Sequence, residues 1–162
     1  MKKITLLMLT LCLLLTAVSC SSAKYADDKA ITDLANLAFI KLSDAVHYSV
    51  AEEGYLDDYF SIPSYVSEYQ IQFATDGNNL NEFGFFHVTE GNADSMEALL
   101  KDYLTRSYEK NQAWYDSYIP AETPKLRDAQ VKVFGNYVVY AIATDEDRAA
   151  MFDAVDQLLT LS

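Results

Sequence analysis

The side chains best suited to acid–base or metal chemistry are few and scattered. His47 and His87 are the two histidines of the chain. A zinc site needs three or four ligands, and neither histidine lies in an HExxH pattern, so we predict no metal site and no cofactor. The sequence contains no GxSxG, GxxxxGK[ST] or GxGxxG pattern. Their absence argues against α/β-hydrolase and nucleotide-binding functions.

Neighbouring carboxylates are plentiful, and paired carboxylates are the machinery of glycoside hydrolysis. General acid catalysis needs a carboxyl group with a raised pKa in an apolar pocket, whereas adjacent acids at helix ends normally face water. A hydrolase acting on glycan or peptidoglycan through Asp57, Asp58 or Asp116 is therefore kept as the alternative function. The turn Asp76-Gly77-Asn78-Asn79 carries oxygen ligands but lacks the spacing of a calcium loop.

Aromatic residues are concentrated in two segments, one from Tyr48 to Tyr69 and one from Tyr103 to Tyr118. A tyrosine ring has an apolar face and a polar tip, which suits a sugar-binding or peptide-binding surface and equally suits the boundary of a core. Both interpretations stay open at this point. The predicted contact patch consists of Trp114, Tyr115 and Tyr118.

Cys20 follows a short basic start and an uncharged, leucine-rich stretch over residues 4–18. As a helix this stretch would rise about 22 Å, less than the ~30 Å hydrocarbon core, which is typical of a signal peptide. Ala17-Val18-Ser19-Cys20 resembles the lipobox of bacterial lipoproteins. The resemblance implies that a signal peptidase recognises Ala17, Val18 and Ser19, and that the Cys20 thiol carries a diacylglyceryl group. An ordinary secretory signal with an incidental cysteine is the alternative.

Removal of residues 1–19 takes away two lysines and leaves 10 basic and 24 acidic residues, a net charge of −14. So acidic a chain is repelled by phosphate backbones, and we expect no nucleic-acid partner. Two acyl chains hold a protein at a membrane regardless of its charge. We therefore expect the protein at the extracytoplasmic face of the cell membrane, anchored through lipid on Cys20.

The elements that would position these residues follow from the periodicity of the apolar side chains. Steps of three and four residues predict helices over about 29–48, from Asp94 toward Trp114, and after a Thr144 cap. A helical turn over 55–62 is expected before Pro63. Alternation predicts strands over 65–73 and 82–88, and a second hairpin over 130–143 turns at Gly135-Asn136.

The resulting order, α-β-β-α-β-β-α, predicts an α+β fold: an antiparallel four-stranded sheet of two hairpins with helices packed on it. The returning strand over 137–142 is apolar on both faces, so it should be central and covered by helices on at least one side. We predict a signal peptide over 1–19, the lipidated cysteine and a short tether over 20–29, and a single α+β domain over 30–162.

Three stretches of the chain resemble the small bacterial lipoproteins of the domain of unknown function 4358 family. They are Glu82-Phe83-Gly84-Phe85-Phe86, Tyr118-Ile119-Pro120 and the segment 131–138, VKVFGNYV. The family more usually has Asn where this chain has Ile119. The resemblance implies an envelope lipoprotein, mostly of Gram-positive anaerobes, and brings no activity with it.

These observations predict a membrane-anchored lipoprotein of the bacterial cell envelope. Its role would be non-catalytic, as a binding or interaction module for an unidentified protein or envelope partner.

Overall fold

Residues 24–42 and 47–161, which the computed structural model describes, form helices on both faces of one antiparallel sheet. The helices are α1 (Ile31–Lys41), α2 (Ala93–Tyr118), α3 (Thr123–Arg127) and α4 (Asp145–Leu159). The strands are β1 (Tyr48–Val50), β2 (Val66–Ala74), β3 (Glu82–Val88), β4 (Gln130–Phe134) and β5 (Tyr137–Ile142). The α+β class and the antiparallel sheet are thereby confirmed.

The sheet has five strands in the order β1-β2-β3-β5-β4, so the prediction of four strands was wrong. The additional strand is β1, which pairs with β2 from Tyr48 opposite Ala74 to Val50 opposite Gln72. The predicted order was also wrong, because it left out β1 and the short helix α3. The first helix ends at Lys41 rather than near Tyr48. A strand of three residues is too short to show a clear alternation of apolar and polar residues. It is specified instead by its pairing with the neighbouring strand.

Each face of the sheet has its own apolar core. Helices α1 and α4 cover one face, where Phe83, Phe85 and Val139 are buried. Helices α2 and α3 cover the other face, where Phe86 and Tyr140 are buried. Strand β5 lies between β3 and β4 and is buried along its whole length, as its apolar character on both faces predicts.

Two helix caps were predicted, of which one is confirmed and the other was wrong. Thr144 caps α4, because its hydroxyl accepts a hydrogen bond from the Asp147 N–H at 3.2 Å. Helix α2 begins after Asn92 rather than at a cap on Asp94, and Asn92 makes no side-chain cap. Asp94 lies instead in the first turn, where its negative charge interacts favourably with the helix dipole.

The segment 24–29 lies against the domain rather than away from it. The Ala26 N–H donates to the Leu159 carbonyl at 2.7 Å, and Tyr25 forms an antiparallel bridge with Thr160. The Tyr137 hydroxyl donates to the Lys29 carbonyl at 2.7 Å. That part of the predicted tether is therefore held by α4 and β5.

Candidate functional site

The last two turns of α2 display aromatic side chains. Trp114 is 51% exposed and Tyr118 is 71% exposed. Their rings stack with centroids 5.1 Å apart and an interplanar angle of 29°. The two residues are four apart on a helix and so lie on the same side of it. We call Trp114 and Tyr118 the aromatic platform.

The side of α2 that carries these rings faces away from the core. Ser107 is the last buried residue of the helix, and beyond it Tyr115 still packs against the core. Trp114 and Tyr118 lie on the exposed side of these last turns and so face water.

Tyr115 connects the platform to a cavity. Its ring meets Trp114 edge-on, with centroids 5.4 Å apart, and its side chain is half-buried. It lines a cavity of about 150 Å³ together with Tyr55, Asn81, Glu82 and Tyr103. We call this space the tyrosine cavity. Since a liquid water occupies about 30 Å³, the cavity has room for a polar group of a few heavy atoms.

Glu82 opens β3 and is the buried carboxylate of the site, with 7% of its surface exposed. Its Oε1 accepts hydrogen bonds from the Tyr103 and Tyr140 hydroxyls, both at 2.6 Å. Its Oε2 accepts one from the Tyr55 hydroxyl, also at 2.6 Å. Hydrogen bonds to an ionised acceptor are short and strong, so these three donors compensate for the loss of water around the charge.

The same cluster suppresses ionisation of its tyrosines. Burial is the largest cause of the raised pKa of Tyr55, Tyr103 and Tyr140, and the nearby charge of Glu82 raises each pKa further. Burial likewise raises the pKa of Tyr115. The hydroxyls therefore remain donors throughout the physiological range.

Local structure places each donor. Gly54, with φ of 85°, starts the turn that carries Tyr55, whose ring stacks on Phe73 with centroids 5.3 Å apart. Tyr140 faces Gly84 across the β3–β5 pair, and Tyr103 lies on the buried side of α2. A strand, a helix and a turn thus each bring one hydroxyl to the carboxylate on β3.

Asn81, another lining residue, makes its side-chain contact outside the Glu82 cluster. Its amide donates to the Tyr48 hydroxyl at 2.9 Å, and Tyr48 packs against the core on the other face of the sheet. Its Oδ1 is buried and has no hydrogen-bond partner among the described residues. The polar groups that the Glu82 cluster brings to the cavity are therefore tyrosine hydroxyls and the Glu82 carboxylate.

The carboxylates proposed for hydrolysis do not line this cavity. Asp57, Asp58 and Asp116 are all exposed. Asp58 is 3.8 Å from the Lys110 ammonium in a solvent-exposed ion pair. The sequence analysis did not select Glu82 as a site residue, although it is the single acidic residue at the start of a largely apolar strand.

His87 joins three segments of the chain. Its Nε2 is 2.8 Å from Asp27 Oδ1, and its Nδ1 is 3.0 Å from Ser67 Oγ. Asn136 donates to the same Asp27 oxygen at 3.0 Å. We call Asp27, His87 and Asn136 the N-terminal clasp.

The arrangement of Ser67, His87 and Asp27 has the composition of a catalytic triad, but the serine is held differently. Ser67 Oγ also lies 3.0 Å from the His87 carbonyl oxygen, an acceptor for its single proton. Ser67 is the extra residue of a bulge between Val66 and Glu68. The geometry therefore fits a structural contact between β2 and β3. His47 is exposed.

The remaining predictions concern metals and the anchor. Within residues 24–42 and 47–161, no group of three or more His, Cys, Asp or Glu side chains is placed to hold a metal ion. The Asp76-Gly77-Asn78 turn is exposed. None of the helices in these residues has the length and apolar character needed to cross a bilayer. Cys20 and Ala17, Val18 and Ser19 lie outside the described residues.

Comparison with protein-family models, with curated proteins and with solved structures found no match to this chain.

Proposed function

We propose that this protein is a lipid-anchored, extracytoplasmic binding module whose aromatic platform holds a neutral glycan of the bacterial cell envelope. The observation that carries the proposal is the stacked, water-facing pair Trp114 and Tyr118 in the last turns of α2. A contiguous apolar patch on a protein surface often marks an interaction site.

Aromatic rings suit a sugar because they offer an apolar face to its C–H groups and polar tips to its hydroxyls. Tyr115 extends this surface to the tyrosine cavity, whose lining includes the polar side chains of Tyr55 and Ser107. The net charge of −14 after loss of residues 1–19 repels polyanions, which favours a neutral glycan.

The anchor is proposed on the resemblance of residues 17–20 to a lipobox. An anionic membrane repels so acidic a domain, whereas two acyl chains contribute about 0.8 kcal/mol for each buried CH₂. The structure adds that residues 24–29 are bound to the domain. The four chain steps from position 20 to position 24 span at most about 14 Å, so the domain would stand close to the bilayer.

Hydrolysis of glycan or peptidoglycan through paired carboxylates remains the second candidate. Glu82 borders the tyrosine cavity, which favours it over Asp57, Asp58 and Asp116 as a reacting group. Both of its oxygens, however, already accept hydrogen bonds from tyrosines. Glycoside hydrolysis also needs a second carboxyl about 5 to 9.5 Å away, and the cavity lining contains none. The geometry therefore favours binding.

Binding can be followed through Trp114, the single tryptophan of the chain. We expect a tetramer of N-acetylglucosamine to shift and brighten its fluorescence as the indole loses contact with water. Tyr118→Ala should weaken binding about tenfold, the loss of one stacking partner, whereas Gln112→Ala, an exposed change on the same helix, should not. An unchanged spectrum at millimolar sugar, with the chain folded, would reject the glycan ligand.

The anchor needs a separate experiment. Cells fed labelled palmitate should transfer label to the wild-type chain and not to Cys20→Ala. Equal labelling of both chains would reject lipidation at Cys20 without bearing on glycan binding.

A further inference from the structure

A second surface lies between α2 and the outer edge of β4. It is a groove of about 640 Å³ on the side of the sheet covered by α2 and α3. Apolar groups of Leu104, Tyr108 and Val131 line it, together with the basic residues Lys101 and Arg127. The Lys132 ammonium lies on the other face of the sheet, over the Phe152 ring. This volume is within the range of ligand sites in proteins.

The register of the β4–β5 hairpin shows which backbone groups of β4 face the groove. Phe134 and Tyr137 flank the two-residue turn and form a hydrogen-bonded pair, so Lys132 pairs with Val139 in the same way. The N–H and C=O groups of Val131 and Val133 then point away from β5, toward the free edge. In the described part of the chain, no other segment forms a backbone hydrogen bond with Val131 or Val133.

The side chains of β4 leave this edge accessible. Gln130 and Lys132 are exposed, and Val131 and Val133 are half-buried against the α2 side of the sheet. An unpaired edge beside an apolar groove is the arrangement that accepts an added strand: main-chain bonds supply affinity, and pockets for alternate side chains supply specificity.

The basic residues of the groove favour an added strand that carries acidic residues. The chain has twice as many acidic as basic residues, yet two basic side chains and no acidic one line the groove. Lys101 and Arg127 pair with Glu97 and Asp128 at 2.7 and 2.6 Å in exposed ion pairs. Exposed pairs of this kind are weak, so both cations can turn to a ligand carboxylate.

We propose that the groove binds an extended peptide that carries apolar and acidic residues on one of its faces and adds to β4 as a sixth strand. Successive side chains of a strand point to opposite faces, so every second residue would face the groove. These residues would be in turn apolar, against Leu104, Tyr108 and Val131, and acidic, against Lys101 and Arg127. This site is separate from the aromatic platform, and its failure would leave the proposed glycan binding unaffected.

The experiment uses the full-length chain in detergent and a fluorescein-labelled peptide that repeats Val-Thr-Asp-Thr, in which Val and Asp share one face of the strand, read by anisotropy. We expect saturable binding that weakens as salt is raised, and about tenfold weaker binding of the matched peptide with Lys in place of Asp. Lys101→Glu combined with Arg127→Glu should reverse that preference. Lys110→Glu, on the same helix but outside the groove lining, should retain it.

Backbone pairing is tested by Val131→Pro, which removes one N–H from the free edge and no bond to β5. It should weaken binding about tenfold, whereas Val131→Thr, which keeps that N–H, should not. If Val131→Pro unfolds, N-methylation of alternate peptide amides replaces it: one set of methyl groups should abolish binding and the other should be tolerated.

Equal binding of the acidic and basic peptides, or no binding at millimolar concentration, would overturn the proposal. So would binding that tolerates both sets of N-methyl groups. Undiminished peptide binding by a folded Val131→Pro chain would also overturn the proposal. Tyr118→Ala should leave peptide binding unchanged, which separates this site from the glycan site.

Discussion

Gly84 and Tyr140 face each other across β3 and β5, and the Tyr140 ring occupies the space that a side chain at position 84 would need. A Cβ atom on Gly84 would lie 2.0 Å from Tyr140 Cε1. The absence of that atom lets Tyr140 lie flat over β3 and reach Glu82 with its hydroxyl. The Glu82 cluster therefore requires a residue without a side chain at position 84.

Gly84→Ala should destabilise the fold by about 3 kcal/mol, because overpacking in a buried sheet forces the backbone or the Tyr140 ring to move. Urea unfolding measures the effect. Gly77→Ala is the matched control, since nothing lies within 4 Å of a Cβ at that exposed position. The double variant Gly84→Ala, Tyr140→Ala should cost less than the sum of its parts. Strict additivity would contradict the proposed clash.

Glu82→Gln should lower the free energy of unfolding by about 1 to 3 kcal/mol, because three charge-assisted hydrogen bonds become bonds to a neutral amide. Glu53→Gln, a change at an exposed acid, should alter stability by less than about 0.5 kcal/mol. Thermal or urea unfolding of the two variants gives the comparison. Equal effects would mean that the tyrosine hydroxyls do not stabilise the buried charge.

Stability should fall in alkali as a direct result of the raised pKa values of Tyr55, Tyr103 and Tyr140. In the unfolded chain these groups lose their protons near pH 10, whereas the folded chain retains them. The contribution to stability is therefore complete below pH 10 and decreases as pH rises above it.

Absorbance near 295 nm follows tyrosinate formation. We expect a fast phase from accessible tyrosines and a late phase that coincides with unfolding. In Glu82→Gln the late phase should begin at lower pH, because the carboxylate no longer opposes ionisation. A single phase well before unfolding would refute the cluster.

The N-terminal clasp should weaken in acid. The hydrogen bond from His87 is the largest cause of the lowered pKa of Asp27, and Asn136 adds to it. A lowered carboxyl pKa stabilises the fold above the unfolded value of 3.8, and this contribution is lost as pH falls through the folded value. Because 59% of the Asp27 side chain is exposed, the effect should be small.

Asp27→Asn tests the clasp. The wild-type chain should be more stable than the variant above pH 4 and equal to it at pH 2, as measured by urea unfolding at each pH. Asp28→Asn, at the neighbouring and more exposed acid, should show no such pH-dependent difference. A constant difference across this range would exclude ionisation of Asp27 as its source.

Strand β3 was predicted with its observed bounds because turn residues flank it on both sides, at Asp76–Asn79 and Gly91-Asn92. The Thr144 cap and the Gly135-Asn136 turn are equally local signals, and both were found. Gln72 shows where local signals fail: a polar residue in an alternating strand is expected to face solvent, yet Gln72 is buried because helices cover both faces of the sheet.

The Glu82 cluster could not be predicted, because its donors lie 21 to 58 residues away along the chain. No spacing rule relates a turn tyrosine, a helix tyrosine and a strand tyrosine to one carboxylate. The contact patch was partly foreseeable, since Trp114 and Tyr118 occupy one side of a helix. Whether that side faced water depended on how α2 packs against the sheet, which spacing along one helix does not reveal.

The length of α2 sets a height. The helix starts five residues after the end of β3, at the pole where His87 meets Asp27, and Trp114 lies 21 residues farther along it. That distance is about 32 Å along the helix axis. With lipid on Cys20 as proposed, the bilayer would lie near the clasp. Helix α2 would then hold the Trp114 indole away from the lipid headgroups, on the side of the protein that faces the cell wall.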